Sequence, residues 1–212
     1  MRPFIEALLG AEDDASRQAG ARLACLAAFE QGEARTMAER ALTGDTVMRR
    51  GAAEVYARNL EFSQARETCE ASLRRLLDDP DEKVRGQVGT CFNHLRPEHL
   101  TDLRPFVEAF IASPSLVPGS EHLIHYLKSV ACDDYELALM ATSRILDAVG
   151  DQVLDMSTHW AVLEADLVQL PLAVYNHASD ADVQARAMDV FERLLLLGTR
   201  SAHEALADWD RR

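Results

Sequence analysis

The chain has little of what most chemistry and most nucleic-acid binding draw on. Only two of its 212 residues are lysine, Lys83 and Lys128, which leaves lysine-based nucleotide chemistry little to work with. Ten glycines and seven prolines are too few for a disordered or low-complexity chain. Aromatic residues make up 6%, while alanine and leucine are abundant. That balance favours helices over a β-sandwich. No stretch approaches the roughly 18 consecutive apolar residues of a membrane span. The first residues, MRPFIEALLGAEDD, are not expected to be a signal peptide, because the apolar run is short and acids follow at once. The four cysteines, Cys25, Cys69, Cys91 and Cys132, lie 44, 22 and 41 residues apart with no C-x-x-C. No disulfide framework is expected; each sits in an apolar helical pattern and reads as a buried thiol. A cytoplasmic location follows as the expectation.

Positive charge is also scarce. Twenty-two Lys and Arg stand against 35 Asp and Glu, for a net charge of −13. The balance is −3 over residues 1–100 and −10 over 101–212. Duplex binding usually needs a basic face, so nucleic acid is not an expected partner.

What is present is helical periodicity. Val84, Val88, Cys91, Phe92 and Leu95 fall on one helical face, opened by Asp81 as a cap. The helix of CEASLRRLL precedes it, so the unit is helix, D-D-P-D turn, helix. It recurs at Asp13, Asp45 and Asp180. With each Asp as position zero, position +4 is Arg17, Arg49, Arg85 and Gln184, and position +7 is Gly20, Ala52, Val88 and Ala187. Position +10 is Leu23, Val55, Cys91 and Val190, and position +11 is Ala24, Tyr56, Phe92 and Phe191. Successive Asp starts are 32, 36 and 99 residues apart, the last about three repeats. A period in the thirties with paired helices predicts an all-α chain, an α-solenoid of about six hairpins and thirteen helices. Residues 1–112 read as the more regular repeats and 113–212 as divergent hairpins with a C-terminal cap, all one domain over 1–212.

Position +7 is small where a second helix meets its neighbours. The Asp and the Arg four residues on suggest a ladder in which Asp caps its own helix and Arg reaches a neighbouring turn; partner binding or simple solvation are the alternatives. SPSLVPGS is expected to break a helix before Glu121–Ala131, and Gly150 to end the helix Tyr135–Val149. Pro171 is expected to kink or split its helix.

No sequence pattern carries chemistry. There is no phosphate-cradling loop, no G-x-G-x-x-G and no G-x-S-x-G. Glu121, His122, His125 and Cys132 form the one metal-like grouping. It lacks the H-E-x-x-H spacing, and the reading preferred here puts one histidine on the core face and the other in water. His94, His99, His159, His177 and His203 stand singly. Paired carboxylates such as Asp78-Asp79 and Asp133-Asp134 sit at turns, where capping explains them. Trp209 reads as a staple for the last helix or as an exposed contact.

The D-x-x-V-R turn units, best copied in DEKVR at Asp81 to Arg85, resemble HEAT repeats. AGARLACLAAF, RRGAAEVYARNL, EHLIHYLKS and AMDVFERLLLLGTRSAHEALADWDRR resemble the C-terminal helical region of large bacterial signal-transducing ATP-binding proteins, several linked to anti-phage defence. That resemblance implies a recognition or sensor array. No NTPase motif is present, so no ATPase role carries over, and the chain is expected to be a fragment, a truncation or a stand-alone relative. The expectation is a non-catalytic protein-binding scaffold with no cofactor and no metal. Arg50, Lys83, Gln87 and Arg186 would line its binding face. The rivals are a HEAT-fold enzyme of the bilin lyase or DNA glycosylase type and a structural oligomerisation module.

Overall fold

The computed structural model describes residues 1–30, 34–149, 158–209 and 211. Among them are twelve α-helices and no strand: α1 Arg2–Leu9, α2 Asp14–Glu30, α3 Arg35–Thr43, α4 Thr46–Asn59, α5 Ser63–Leu76, α6 Glu82–Gly89, α7 Leu100–Ala112, α8 Leu116–Val130, α9 Tyr135–Val149, α10 Thr158–His177, α11 Ala181–Leu196 and α12 Arg200–Trp209. The periodicity of the sequence predicts about thirteen. Two 3-10 turns, Thr90–Asn93 and Pro97–His99, join α6 to α7. The helices cluster into two compact units, Met1–His122 and Leu123–Arg212.

In the first unit, α2 packs on both α1 and α4. The interface is built from small residues: Ala21, Ala24, Ala52 and Ala53 are all fully buried. A Cβ on Gly20 would come 2.8 Å from the Leu8 Cβ, and one on Gly51 would come 2.8 Å from the Gln18 carbonyl oxygen. These helices approach so closely because nothing larger stands at the crossings. A second close approach lies between α6 and α8, where a Cβ on Gly89 would fall 2.6 Å from the Gly119 Cα. Around it, Phe92 packs edge-to-face on Phe110 at 4.8 Å and tilted on Phe106 at 6.5 Å. All three rings are buried, each contributing roughly 1.5–3 kcal/mol by leaving water.

In the second unit, α10 packs on α9 and α11. Leu137, Ile145 and Leu146 of α9, Leu167, Val168 and Val174 of α10, and Phe191 and Leu194 of α11 form its core. Gly198 takes φ 73, a left-handed conformation that suits glycine, and turns the chain from α11 into α12.

All four residues at position +7 and all four at +11 are buried; at +10, Leu23 is 36% exposed. Three expectations need correction. The helix opened by Asp81 ends at Gly89 and tightens into a 3-10 turn, although Cys91, Phe92 and Leu95 remain buried. SPSLVPGS does not separate helices as far as Glu121. α8 begins at Leu116 and takes Pro118 into its first turn, where a missing amide hydrogen is tolerated. Pro171 lies inside α10 and does not split it, since α10 runs as one helix from Thr158 to His177. Gly150, expected to end α9, lies outside the described residues.

Candidate functional site

The recurring turn is the most regular piece of local chemistry. Each starting Asp caps its helix: Asp13 accepts from the Ser16 amide, Asp45 from Met48, Asp81 from Lys83 and Val84, and Asp180 from Asp182 and Val183. The side chain at +4 bonds backward to carbonyls of the same turn. Arg17 donates to the Ala11 and Glu12 carbonyls, Arg49 to Gly44, Arg85 to Asp79 and Pro80, and Gln184 to Tyr175 and Ala178. Two of them also reach the next turn. Arg17 Nε lies 2.9 Å from Asp45 Oδ2, an ion pair without hydrogen-bond alignment. Arg49 forks onto Asp79, Nε to Oδ2 at 2.6 Å and Nη2 to Oδ1 at 3.2 Å. Asp79 also accepts from the Asp81 amide, which accounts for a carboxylate only 4% exposed. At the next junction a neutral bond stands in: Ser115 Oγ donates to the Leu77 carbonyl at 2.7 Å.

The residues expected to bind a partner are placed differently from one another. Lys83 is exposed and Arg50 half-buried, its buried Nε without a hydrogen-bond partner; neither makes an ion pair among the described residues. Gln87 donates to Thr90 Oγ1 at the start of the 3-10 turn that follows α6. Arg186, in the second unit, forks onto Glu136 at 2.5 and 2.8 Å.

The metal-like grouping takes another form than expected. Neither histidine is in the core: His122 is half-buried with Nδ1 3.1 Å from Asn93 Oδ1, and His125 is exposed. Cys132 is exposed too, in the turn after α8, which corrects the expectation of a buried thiol. No three His, Cys, Asp or Glu side chains converge on a metal-sized space among the described residues. The other three cysteines are buried. Burial pushes Cys25 and Cys69 up to about 12 and Cys91 higher still, so these thiols stay protonated and inert.

Two grooves were not legible in the sequence, because each is lined by side chains from more than one helix whose spacing follows no motif. The first, about 860 Å³, runs between α2, α3, α4 and α5. Phe29, Tyr56 and Phe62 line it beside Glu30, Glu39 and Arg75, and Phe29 meets Tyr56 edge-to-face at 5.9 Å. Arg75 forks onto Glu39 at 2.6 and 2.8 Å, and these hydrogen bonds hold the Glu39 carboxyl below the usual glutamate value. A carboxylate so neutralised is a poor general acid.

The second groove, about 570 Å³, lies between α10 and α12 and is lined by Gln169, Leu172, His177, Glu204, Asp208 and Trp209 among others. Trp209 is wedged edge-to-face against Tyr175 at 5.2 Å and Phe191 at 6.2 Å, so it staples α12 to the unit. The other end of α12 is fixed by the buried Glu164, whose Oε1 accepts from the Ser201 amide at 2.7 Å. No helix among the described residues is long and apolar enough to cross a membrane. No known protein family, no characterised protein and no solved structure matches this chain.

Proposed function

We propose that this chain is a non-catalytic protein-recognition module whose helix pairs stack as a HEAT-like α-solenoid, the sensor end of a bacterial defence NTPase system working in the cytoplasm. The observation that supports it is the fourfold repetition of the capped turn with its clamping +4 side chain. Repetition of this kind spends polar groups on holding hairpins in register and leaves Lys83 and Arg50 open to a partner. Arg50, Lys83, Gln87 and Arg186 are the contact residues of this reading, and a protein rather than nucleic acid is the partner.

The test is site-specific photo-cross-linking from position 83 in cells, with and without Arg50→Glu. One protein partner, lost in the variant while helicity is unchanged, supports the reading. Binding of duplex DNA at physiological salt with a steep salt slope overturns it. The sensor assignment requires the chain to co-purify with a P-loop NTPase. The groove holding Phe29, Tyr56, Phe62, Glu30 and Glu39 favours a second reading, the HEAT-fold enzyme. It would require turnover that Glu30→Gln or Glu39→Gln abolishes.

A further inference from the structure

The second unit is strongly acidic: from Leu123 onward there are 7 Lys and Arg against 15 Asp and Glu. The groove between α10 and α12 concentrates that imbalance. Its lining holds two carboxylates, Glu204 and Asp208, and one partly exposed indole, Trp209, but no lysine or arginine. Leu172, Ala165, Ala173 and Ala205 give it apolar walls. An indole with two carboxylates within one groove is the combination that receives a cationic side chain: the aliphatic stem lies on the apolar wall, and the charged head meets the ring and the carboxylates. The charge of the groove therefore selects its occupant.

We infer that the α10–α12 groove is a docking site for a basic peptide segment of a protein partner, with a lysine or arginine side chain seated beside Trp209 between Glu204 and Asp208. The site deepens the protein-recognition reading above and rests on it. In the free chain both carboxylates have local partners. Arg200 Nε lies 2.7 Å from Glu204, and Arg211 Nη1 lies 3.3 Å from Asp208. Both pairs are exposed, with side chains 60% or more accessible. Such pairs are worth little, so an incoming cation that also gains the ring and the apolar wall displaces them.

The remaining contacts show why the groove stays open. Among the described residues of α12 only Ala202 is buried. The helix is held at its start by the Glu164 cap and at its end by the Trp209 wedge. Between these two anchors the groove of about 570 Å³ runs along α10 and has room for a side chain.

The experiment uses the full chain, nitrogen-15 labelled, and a synthetic probe, acetyl-Leu-Arg-Leu-Lys-Leu-amide, with the Glu-for-Arg and Glu-for-Lys version as its counterpart. The Trp209 indole resonance is assigned with Trp209→Phe. The expected result is a saturable shift of that resonance and of the α10 and α12 amides with the basic probe alone, weakening as salt rises. Glu204→Gln with Asp208→Asn should weaken the probe about fivefold, the worth of two exposed charge contacts. Arg200→Gln, which frees Glu204, should tighten it, a gain that a merely structural role for α12 would not produce. All three substitutions are on exposed positions and leave the anchors intact. Equal binding of the acidic counterpart, or no loss in the double variant, overturns the assignment. The protein cross-linked from position 83 separates the two readings. If it is still captured by the Glu204→Gln, Asp208→Asn chain while the probe does not bind the wild type, the groove assignment falls and protein recognition stands. If no protein is captured at all, the wider reading falls with it.

Discussion

Cys132 differs from the other three cysteines in being exposed, in the turn after α8. The letters A-C-D-D put it two residues past Val130, the last residue of α8, and before two acids, the second of which, Asp134, caps α9. That signal was present, but the apolar run before it masked it. A thiol-specific aromatic disulfide reagent at pH 8 should therefore modify one thiol rapidly in the folded chain and all four in denaturant, and Cys132→Ser should remove the fast phase. Glu39 gives a second prediction. Its folded value lies below the ordinary 4.5 because Arg75 hydrogen-bonds the charged form. The pair thus stabilises the fold above about pH 4.5, and the contribution is lost as pH falls through the lowered value. Side chains 48% and 53% exposed limit it to about 1 kcal/mol at most. Glu39→Gln should be slightly less stable than the wild type at pH 7 by urea titration, with the difference gone at strongly acidic pH. No sequence pattern announced this pair, since its members lie 36 residues apart on different helices.

At the scale of the helices, the crossing of α6 and α8 gives the sharpest comparison. A Cβ on Gly89 would fall 2.6 Å from the Gly119 Cα, whereas one on Gly86 would sit at 3.4 Å or more from Pro118. Backbone cannot yield as a side chain can. Gly89→Ala should destabilise by about 1–3 kcal/mol, while Gly86→Ala should gain up to about 1 kcal/mol of helix propensity. Urea midpoints of the two variants moving together would contradict the geometry. Ala52, fully buried where α4 meets α2, carries the same logic from the other side: Ala52→Leu should cost about 1–3 kcal/mol by overpacking. The burial of position +7 was readable from the repeat, where three of the four residues are small and the fourth is Val88. Which of the two glycines in R-G-Q-V-G touches backbone was not readable, because it depends on the path of α8. SPSLVPGS reads as a break, whereas α8 begins inside it at Leu116 and takes Pro118 into its first turn.

At the scale of the whole chain, charge is the readable property and function is not. A net charge of −13 predicts that the purified protein will not retard a duplex at physiological salt, which a mobility-shift titration would check. The helical class followed from composition and period alone. The grooves did not, since each is assembled from side chains whose spacing along the chain carries no signature. The turns themselves have a consequence for how such a chain changes over time. Each carries its own cap on one side and its own carbonyl clamp on the other, as Asp45 with Arg49 and Asp81 with Arg85 do. A joint of this kind is a portable part. In the stacked array proposed above, whole hairpins can be duplicated or lost between two such joints without stranding a polar backbone group, whereas a cut inside a hairpin would strand several. Lineages of this protein should accordingly differ in length by whole hairpins.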